Sequence, residues 1–532
     1  MDMFGGLTKT SSRIAIASAL GMTLGGFAMG ASPAKAADLG GDCCADLEER
    51  VAELEATTVR KGNKKVSVTI SGWIVDLGSW WNDGHTSGLY WGSKDTTLSS
   101  HFNISGSAQI APGWSAGYTA WIEIPGSTSV GFANNQFNDN ATGGFLGGNA
   151  INTLDSYMWL KSDKYGTVNW GKLTQATNNL ALLPDLSGTV IESNAVLFDG
   201  AGMFIRPKHT TNSNDMASDF SWASMTNCIS GGGGVGADCP TGLDGNGVRY
   251  DTPTWAGFSA SAGEYENMEW DVAVKYAATW DAFKVSAAYG FAENTDEGCH
   301  SGGPSGFTCA NGAEAGGGGA PFQGYTKDVT SNQVGASVMH VPSGLWVYGL
   351  WENEQNQGTP FNTFNFTTGA VKDNSNLNDD DAWFIKAGIK RTWNPLGATV
   401  IWGEGGQYLN MYSGVCDGQQ SSTSSNATAM GAPGCFTSIN TGVTSTGVGN
   451  AQFVEITNST VNRYGVGIMQ EIDAAAMHVF FRWQHLDLNV TAVCDQGTCD
   501  TGSGTKTVAI GQKFSPSYDS LDIFQVGGVI FF

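Results

Sequence analysis

From about residue 65 onward, apolar and polar positions alternate with a period of two. Val66, Val68, Ile70 and Ile74 alternate with Ser67, Thr69 and Ser71, the signature of a strand with one apolar and one wet face. Runs of this kind recur sixteen times, at about 65–77, 101–111, 114–124, 155–163, 166–173, 246–252, 258–266, 270–280, 283–293, 331–341, 345–354, 382–393, 398–408, 461–471, 477–488 and 523–532. The connections alternate in length. Short ones such as Ala111-Pro-Gly-Trp114, Val341-Pro-Ser-Gly344 and Asn394-Pro-Leu-Gly397 fit tight reversals. Long ones cover 81–100, 125–154, 174–245, 294–330, 355–381, 409–460 and 489–522. An even number of strands with short turns at one end and long loops at the other predicts an all-β fold: a 16-stranded antiparallel transmembrane β-barrel with periplasmic turns and extracellular loops. The last run, Phe524 to Phe532, places Phe524, Val526, Ile530 and Phe532 on one face. Phe532 is read as the barrel-closure signal, because a final strand must pair with the first and leave no edge.

Before the period-two region lies one helical stretch, 46–58, in which Leu47, Val51, Leu54 and Thr58 follow a 4-3-4 spacing. Two heptads cannot hold alone. The stretch reads either as a seam in an already assembled trimer or as one amphipathic helix capping the barrel. Further upstream, Lys9 and Arg13 precede an uncharged Ala/Gly/Leu-rich run, and Ala34-Lys35-Ala36 is an A-x-A cleavage site, so 1–36 reads as a secretory signal peptide. The expected organisation is 1–36 signal, 37–62 periplasmic helical segment and 63–532 barrel.

Composition sharpens this picture. The formal charge is −23, which argues against non-specific nucleic-acid binding. Only 14% of residues are charged, with 74 Gly and 18 Trp, as suits lipid-facing strands joined by polar loops. Apart from Cys43 and Cys44, every cysteine falls in an expected outer loop, two per loop: Cys228 and Cys239, Cys299 and Cys309, Cys416 and Cys435, Cys494 and Cys499. One local disulfide per loop is the simplest pairing in an oxidising compartment. No metal-ligand spacing such as C-x₂-C or H-x₃₋₅-H occurs, and no cofactor is expected.

A barrel of this size leaves an aqueous lumen that something must narrow. The candidate is the third long loop, about 174–214, whose Leu180, Leu182, Leu183, Leu186, Val190, Ile191, Val196, Leu197 and Phe198 are too apolar to stand in water. Folding it inward is expected to bury them on the wall and project Asp185, Glu192 and Asp199 into the pore. Alternation then places bases inside the wall. With Tyr250, Val274, Ile385, Ile389, Tyr464 and Phe481 facing lipid, Arg249, Lys275, Lys386, Lys390, Arg463 and Arg482 face the lumen, since a base on the lipid side would cost ~2–4 kcal/mol near the midplane. Either this basic wall opposes the acidic loop across the constriction, or the bases pair with barrel acids. Trp73, Trp159, Trp170, Trp255, Trp280, Trp346, Trp393 and Tyr464 lie near expected strand ends, where interfacial girdles form.

Three segments carry a family resemblance. Gly245-Asn-Gly-Val-Arg-Tyr-Asp-Thr-Pro-Thr-Trp-Ala-Gly-Phe258 resembles a porin strand–turn–strand motif. Ser156 to Lys172 resembles the hairpin before the third loop, and Asp38 to Trp73 resembles the N-terminal helix and first strand of alphaproteobacterial (rhizobial-type) general porins. The resemblance implies a homotrimer in the lipid of a Gram-negative cell outer membrane, passing ions and small hydrophilic solutes by passive diffusion. The outer loops here are longer and richer in cysteine than the family pattern. The alternatives are a substrate-selective porin and a plugged-barrel adhesin or receptor. An enzyme is not expected: the seven histidines are scattered and no activated serine lies beside one.

Overall fold

The computed structural model describes residues 66–94, 98–124, 151–194, 200, 203, 205–206, 208, 222, 225–226, 245–266, 269–294, 327–358, 361–364, 371–374, 379–411, 437–438, 453–494, 498–500, 507–509 and 511–532. The expected signal peptide and helical segment, and Asp199, lie outside these residues.

Sixteen long strands form the wall: Ser67–Asn82 (β1), His101–Ala111 (β2), Trp114–Glu123 (β3), Asn152–Ser162 (β4), Gly166–Leu173 (β5), Gly245–Asp251 (β6), Phe258–Tyr265 (β7), Glu269–Trp280 (β8), Phe283–Asn294 (β9), Lys327–His340 (β10), Leu345–Gly358 (β11), Asp380–Asn394 (β12), Gly397–Leu409 (β13), Phe453–Ile472 (β14), Met477–Cys494 (β15) and Leu521–Phe531 (β16). Each pairs antiparallel with the next. β16 returns to β1, from Trp73↔Phe531 to Asn82↔Asp522. The Gly72 and Phe532 backbones extend this seam by exchanging hydrogen bonds of 3.0 and 3.1 Å. The barrel is therefore closed, and every wall strand has two neighbours, as a bilayer requires.

Several strands run past the expected boundaries. β1 reaches Asn82, β11 reaches Gly358, and β14 begins at Phe453. Hairpin pairing continues above the apolar belt even where alternation has ended, as in the polar stretch Glu352 to Gly358 that pairs with β10. A short strand, Ser87–Gly92, folds back onto Leu77–Asn82 of β1, inside a stretch expected to be loop. At the opposite end the turns are tight. Gly113 adopts a φ of +74° in the Pro112-Gly113 reversal, a conformation that glycine reaches without steric penalty.

One face of each strand is apolar and outward. Val248, Tyr250, Val272, Val274, Ile385, Val466, Ile468, Val479, Phe481, Val526 and Ile530 are all exposed, while their chain neighbours turn inward. A continuous apolar belt of this extent is unfavourable in water and suited to lipid. Ring pairs edge it, with Trp80 against Phe524 (5.2 Å) towards the long-loop end and Phe102 against Phe532 (5.4 Å) towards the short-turn end.

Trp170, Trp255, Trp280, Trp393 and Tyr464 are outward and exposed, but Trp73, Trp159 and Trp346 are buried inside. Their register decides this. Trp73 shares a face with Val75 and Leu77, Trp159 with Tyr157, and Trp346 with Tyr348 and Leu350, all of them buried. Instead of meeting lipid, Trp73 packs edge-on to His101 at 3.7 Å and donates its indole N–H to the Leu98 carbonyl.

Candidate functional site: the lumen and the third loop

The third loop leaves the wall at Leu173 and turns inward at once. Asp155 accepts hydrogen bonds from the Thr174 N–H (2.7 Å) and hydroxyl. Arg249 donates to the Thr174 carbonyl while its Nε lies 3.1 Å from Asp251. Gln175 donates to Glu269 (2.8 Å), the Ala176 N–H to the Tyr265 hydroxyl (3.0 Å), and the Thr177 N–H to Asp271 (2.7 Å). These acceptors stand on β4, β7 and β8, and they satisfy backbone groups that would otherwise be buried without partners.

The loop then follows the wall across β9 to β15. Gln333 of β10 bridges it twice, donating to the Thr177 carbonyl (2.9 Å) and accepting from the Ala181 N–H (3.1 Å). The Tyr348 hydroxyl donates to the Ala181 carbonyl (2.8 Å). Two glycines allow this approach. A Cβ on Gly290 would lie 2.5 Å from a Leu180 methyl, and one on Gly335 would lie 2.0 Å from the Ala181 carbonyl oxygen. Leu180, Leu182, Val190 and Ile191 are buried against the inner wall. That wall is itself apolar here, with Tyr348, Leu350, Phe384, Trp402, Val461 and Phe480 in the same buried cluster as Leu182, Val190 and Ile191. Each fully buried aliphatic side chain contributes about 1.5–3 kcal/mol.

Charge fastens the middle of the loop. Lys386 lies 2.6 Å from Asp185 and donates to the Thr189 hydroxyl (2.9 Å) and the Ser193 carbonyl (2.8 Å). Glu404 accepts from Arg463 (3.1 Å), Arg482 (2.9 Å), the Trp402 indole (3.0 Å) and the Ser193 hydroxyl. His478 Nδ1 lies 2.8 Å from Glu192 Oε1, and Arg482 donates to the Glu192 carbonyl (3.2 Å). All of these groups are buried.

Asp185 and Glu192 therefore do not project free into the pore. Each is held against the wall by a base placed opposite it, which offsets part of the cost of burying the carboxylate. Most of the bases are engaged in the same way. Arg249 pairs with Asp251, Lys386 with Asp185, Lys390 with Glu471 (2.5 Å), and Arg463 and Arg482 with Glu404. Lys275 differs. It shares the inward face of β8 with Asp271 and Ala273 and forms no ion pair or hydrogen bond among the described residues. Towards the short-turn end the inward positions stay open and polar: Ser107, Gln109 and Thr279 are exposed, and Ser105, Ser115 and Ser286 are half-buried. Glu404, Asp251, Asp271, Glu471 and His478 are functional partners that sequence reasoning did not single out. The available signal was register, since Glu404 shares the inward side of β13 with Val400 and Trp402.

Further along the same loop, Arg206 is buried against Asp83 at the outer mouth (2.7 Å). The Arg206 backbone accepts from the Asp519 N–H (2.7 Å), and the Lys208 N–H donates to Ser517 (3.0 Å). Burial alone would raise the Asp83 carboxyl. Arg206 and the Thr86 and His85 N–H groups outweigh it and hold that carboxyl below the ordinary range. A depressed carboxylate contributes stability above its unfolded pKa, about 3.9, which is lost as pH falls through the folded value. Asp83→Asn is expected to remove this component. Acid unfolding of the wild type, followed by gel mobility without boiling, should therefore show a loss below about pH 4 that the variant lacks. Parallel acid curves for the two proteins would exclude this role.

The side chains of Cys494 and Cys499, on β15 and the short strand Thr498–Asp500, and all the other loop cysteines lie outside the described residues.

The sequence model of one family, described as Gram-negative porin, matches residues 17–511. The chain belongs to this family. As a porin it is a multi-pass β-barrel of the Gram-negative outer membrane, a channel for passive diffusion. Family and fold point to a channel rather than an enzyme. No curated protein sequence matches it. Among solved structures it is similar to an anion-selective porin from Comamonas acidovorans, at 15% identity and a TM-score of 0.46, covering 88% of this chain and 100% of that one. It is also similar to OprB of Pseudomonas putida, at 9% identity and a TM-score of 0.43, covering 92% and 97%. The porin OmpF of Salmonella typhi matches at 11% identity and a TM-score of 0.39, covering 88% and 99%.

Proposed function

We propose that this porin is a general diffusion channel of the alphaproteobacterial type, assembled as a homotrimer, whose third loop (about 174–214) sets the constriction. The observation that carries the reading is the inward course of 174–194 along the wall from β5 to β15, fastened by Asp185–Lys386 and Glu192–His478. A loop bonded on both its polar and apolar sides narrows the lumen permanently and leaves a polar passage beside it. Small hydrophilic solutes and ions keep their hydration there, while apolar ones lose it. The subfamily rests on the three resembling segments. The four cysteine pairs would close one disulfide per outer loop, restricting the unfolded chain.

Ion preference follows from which charges remain uncompensated. Carboxylates pair with Arg249, Lys386, Lys390, Arg463 and Arg482, leaving Lys275 as the base of that set with no ion pair or hydrogen bond among the described residues. Planar-bilayer recording under a salt gradient tests both points. Stepwise openings in threes are expected from the wild type. Lys275→Glu is expected to move the reversal potential towards cations by several-fold in permeability ratio, about 1 kcal/mol in the energy of a passing ion. A folded protein that gives no current would defeat the diffusion reading. An unmoved potential would remove Lys275 from the selectivity site.

A further inference from the structure

We propose that the inner wall of β1 to β3 holds a neutral polyhydroxylated solute, a sugar or polyol, on its way through the pore. The inference rests on the diffusion-channel reading and names a solute class for it.

The site begins at a row of three residues in register, Ser71, Asn103 and Trp121. The row points inward. Ile70 and Phe102 beside it belong to the outer face, and Trp121 joins the buried rings inside. Asn103 and Trp121 are only 5% and 6% exposed. Yet the Asn103 Oδ1 and the Trp121 indole N–H have no hydrogen-bond partner among the described residues. An acceptor and a donor buried side by side and left unbonded are costly. Register partners on adjacent strands stand about 5 Å apart. One hydroxyl between them can donate to the amide oxygen and accept from the indole. The rings above fix the indole beforehand: Trp121 packs on His101 at 4.6 Å, and His101 on Trp73 at 3.7 Å. A donor held in place in this way loses less freedom on binding.

Towards the short-turn end the wall opens. Thr69, Ser105 and Thr119 form the next row, with Thr69 exposed and Ser105 half-buried, and Ser107 beyond it is exposed. The inward positions from Ser67 to Ser71, Asn103 to Gln109 and Ser115 to Trp121 carry hydroxyls, amides, one glycine and one indole, and no charge. The opposite wall differs, with Lys275 and the Lys390–Glu471 pair. A charged solute would find no counter-charge on β1 to β3, and an apolar one would leave Asn103 and Trp121 unbonded. A chain of hydroxyls meets both demands, since each group donates and accepts and the carbon skeleton packs against a ring edge. The run from Thr174 to Asn194 hugs β4 to β15, so this wall lies across the passage from it.

The test uses the full-length folded protein in planar bilayers. Maltose is the probe. A polyethylene glycol of equal hydrated size is the control, since its ethers accept hydrogen bonds and donate none. Maltose is expected to reduce the ion current along a saturating curve, and the glycol only in proportion to its effect on the bulk solution. Trp121→Phe keeps a ring and removes the N–H, and Asn103→Leu removes the acceptor. Each is expected to raise the half-blocking maltose concentration about tenfold, the effect of one buried hydrogen bond left unmade. Thr69→Val, at an exposed position, is expected to raise it about threefold and serves where a buried substitution fails to fold. Three results would overturn the inference. A linear fall with maltose, equal to that with the glycol, would mean that Asn103 and Trp121 bond ordered water only, with the channel reading intact. Saturation unchanged in all three variants would place the sugar elsewhere in the pore. A folded protein without current would defeat the channel reading and this inference with it.

Discussion

Replacing Glu404 with alanine is expected to destabilise the barrel by about 3–5 kcal/mol, the range for removing one partner of a buried ion pair. Glu404 is buried on β13 and accepts from two guanidiniums, those of Arg463 on β14 and Arg482 on β15, and from the Ser193 hydroxyl of the third loop. Without it, two positive charges would face each other with no carboxylate between them, and the far end of the described loop would lose its wall contact. The pair cannot turn outward, because Tyr464 and Phe481 beside it face the apolar belt. Glu404→Gln should fall between wild type and alanine, since an amide oxygen still accepts from one guanidinium but carries no charge. The readout is the denaturant midpoint for loss of fast, unboiled gel mobility. A midpoint unchanged in Glu404→Ala would mean that water already compensates the two arginines.

This network shows which parts of the molecule were legible beforehand. The sixteen wall strands could be read because each carries outward apolar residues at every second position, with tight turns such as Pro112-Gly113 at one end. The side on which Arg463 or Arg482 sits followed from outward neighbours such as Tyr464 and Phe481. What those bases bond could not be read. Glu404 meets both only through the register of β13 on β14 and of β14 on β15, where Glu404↔Gly465 and Gly467↔Arg482 set the stagger. Those offsets depend on bulges and turn lengths that leave no local mark.

The course of the third loop was harder still. Its apolar residues announced burial, but its acids were expected in the pore, and their bonding to Lys386 and His478 depends on a loop path chosen by the whole wall. The inward tryptophans were misread for a related reason. On a strand apolar on both faces an inward tryptophan looks like an outward one, and this wall is apolar on both faces where the loop lies against it. Trp346 and Trp402 are part of that inner surface.

The third loop's own docking can be tested at one position, Gly335. Gly335→Val is expected to lower single-channel conductance about twofold, because a loop pushed off the wall moves into the passage beside it. A Cβ there would stand 2.0 Å from the Ala181 carbonyl oxygen and 2.9 Å from its Cα, both of them backbone atoms that no rotamer change can move. The loop must therefore lift at Ala181, and lifting it breaks the bonds from Gln333 and Tyr348 on either side. Leu180 and Leu182 would be drawn off the inner wall as well, opposing the move by their burial. The anchors at Thr174 and Lys386 lie beyond the strained stretch and should hold, so the variant is expected to flicker between seated and lifted states rather than lose the loop altogether. Gly403→Val serves as the control. Gly403 faces outward on β13, and its added Cβ meets nothing closer than the Gly465 carbonyl at 4.0 Å. Its conductance should match the wild type. Equal, steady conductance in all three proteins would show that the loop at Ala181 does not bound the narrowest part of the channel, and the constriction would then have to lie elsewhere along its course.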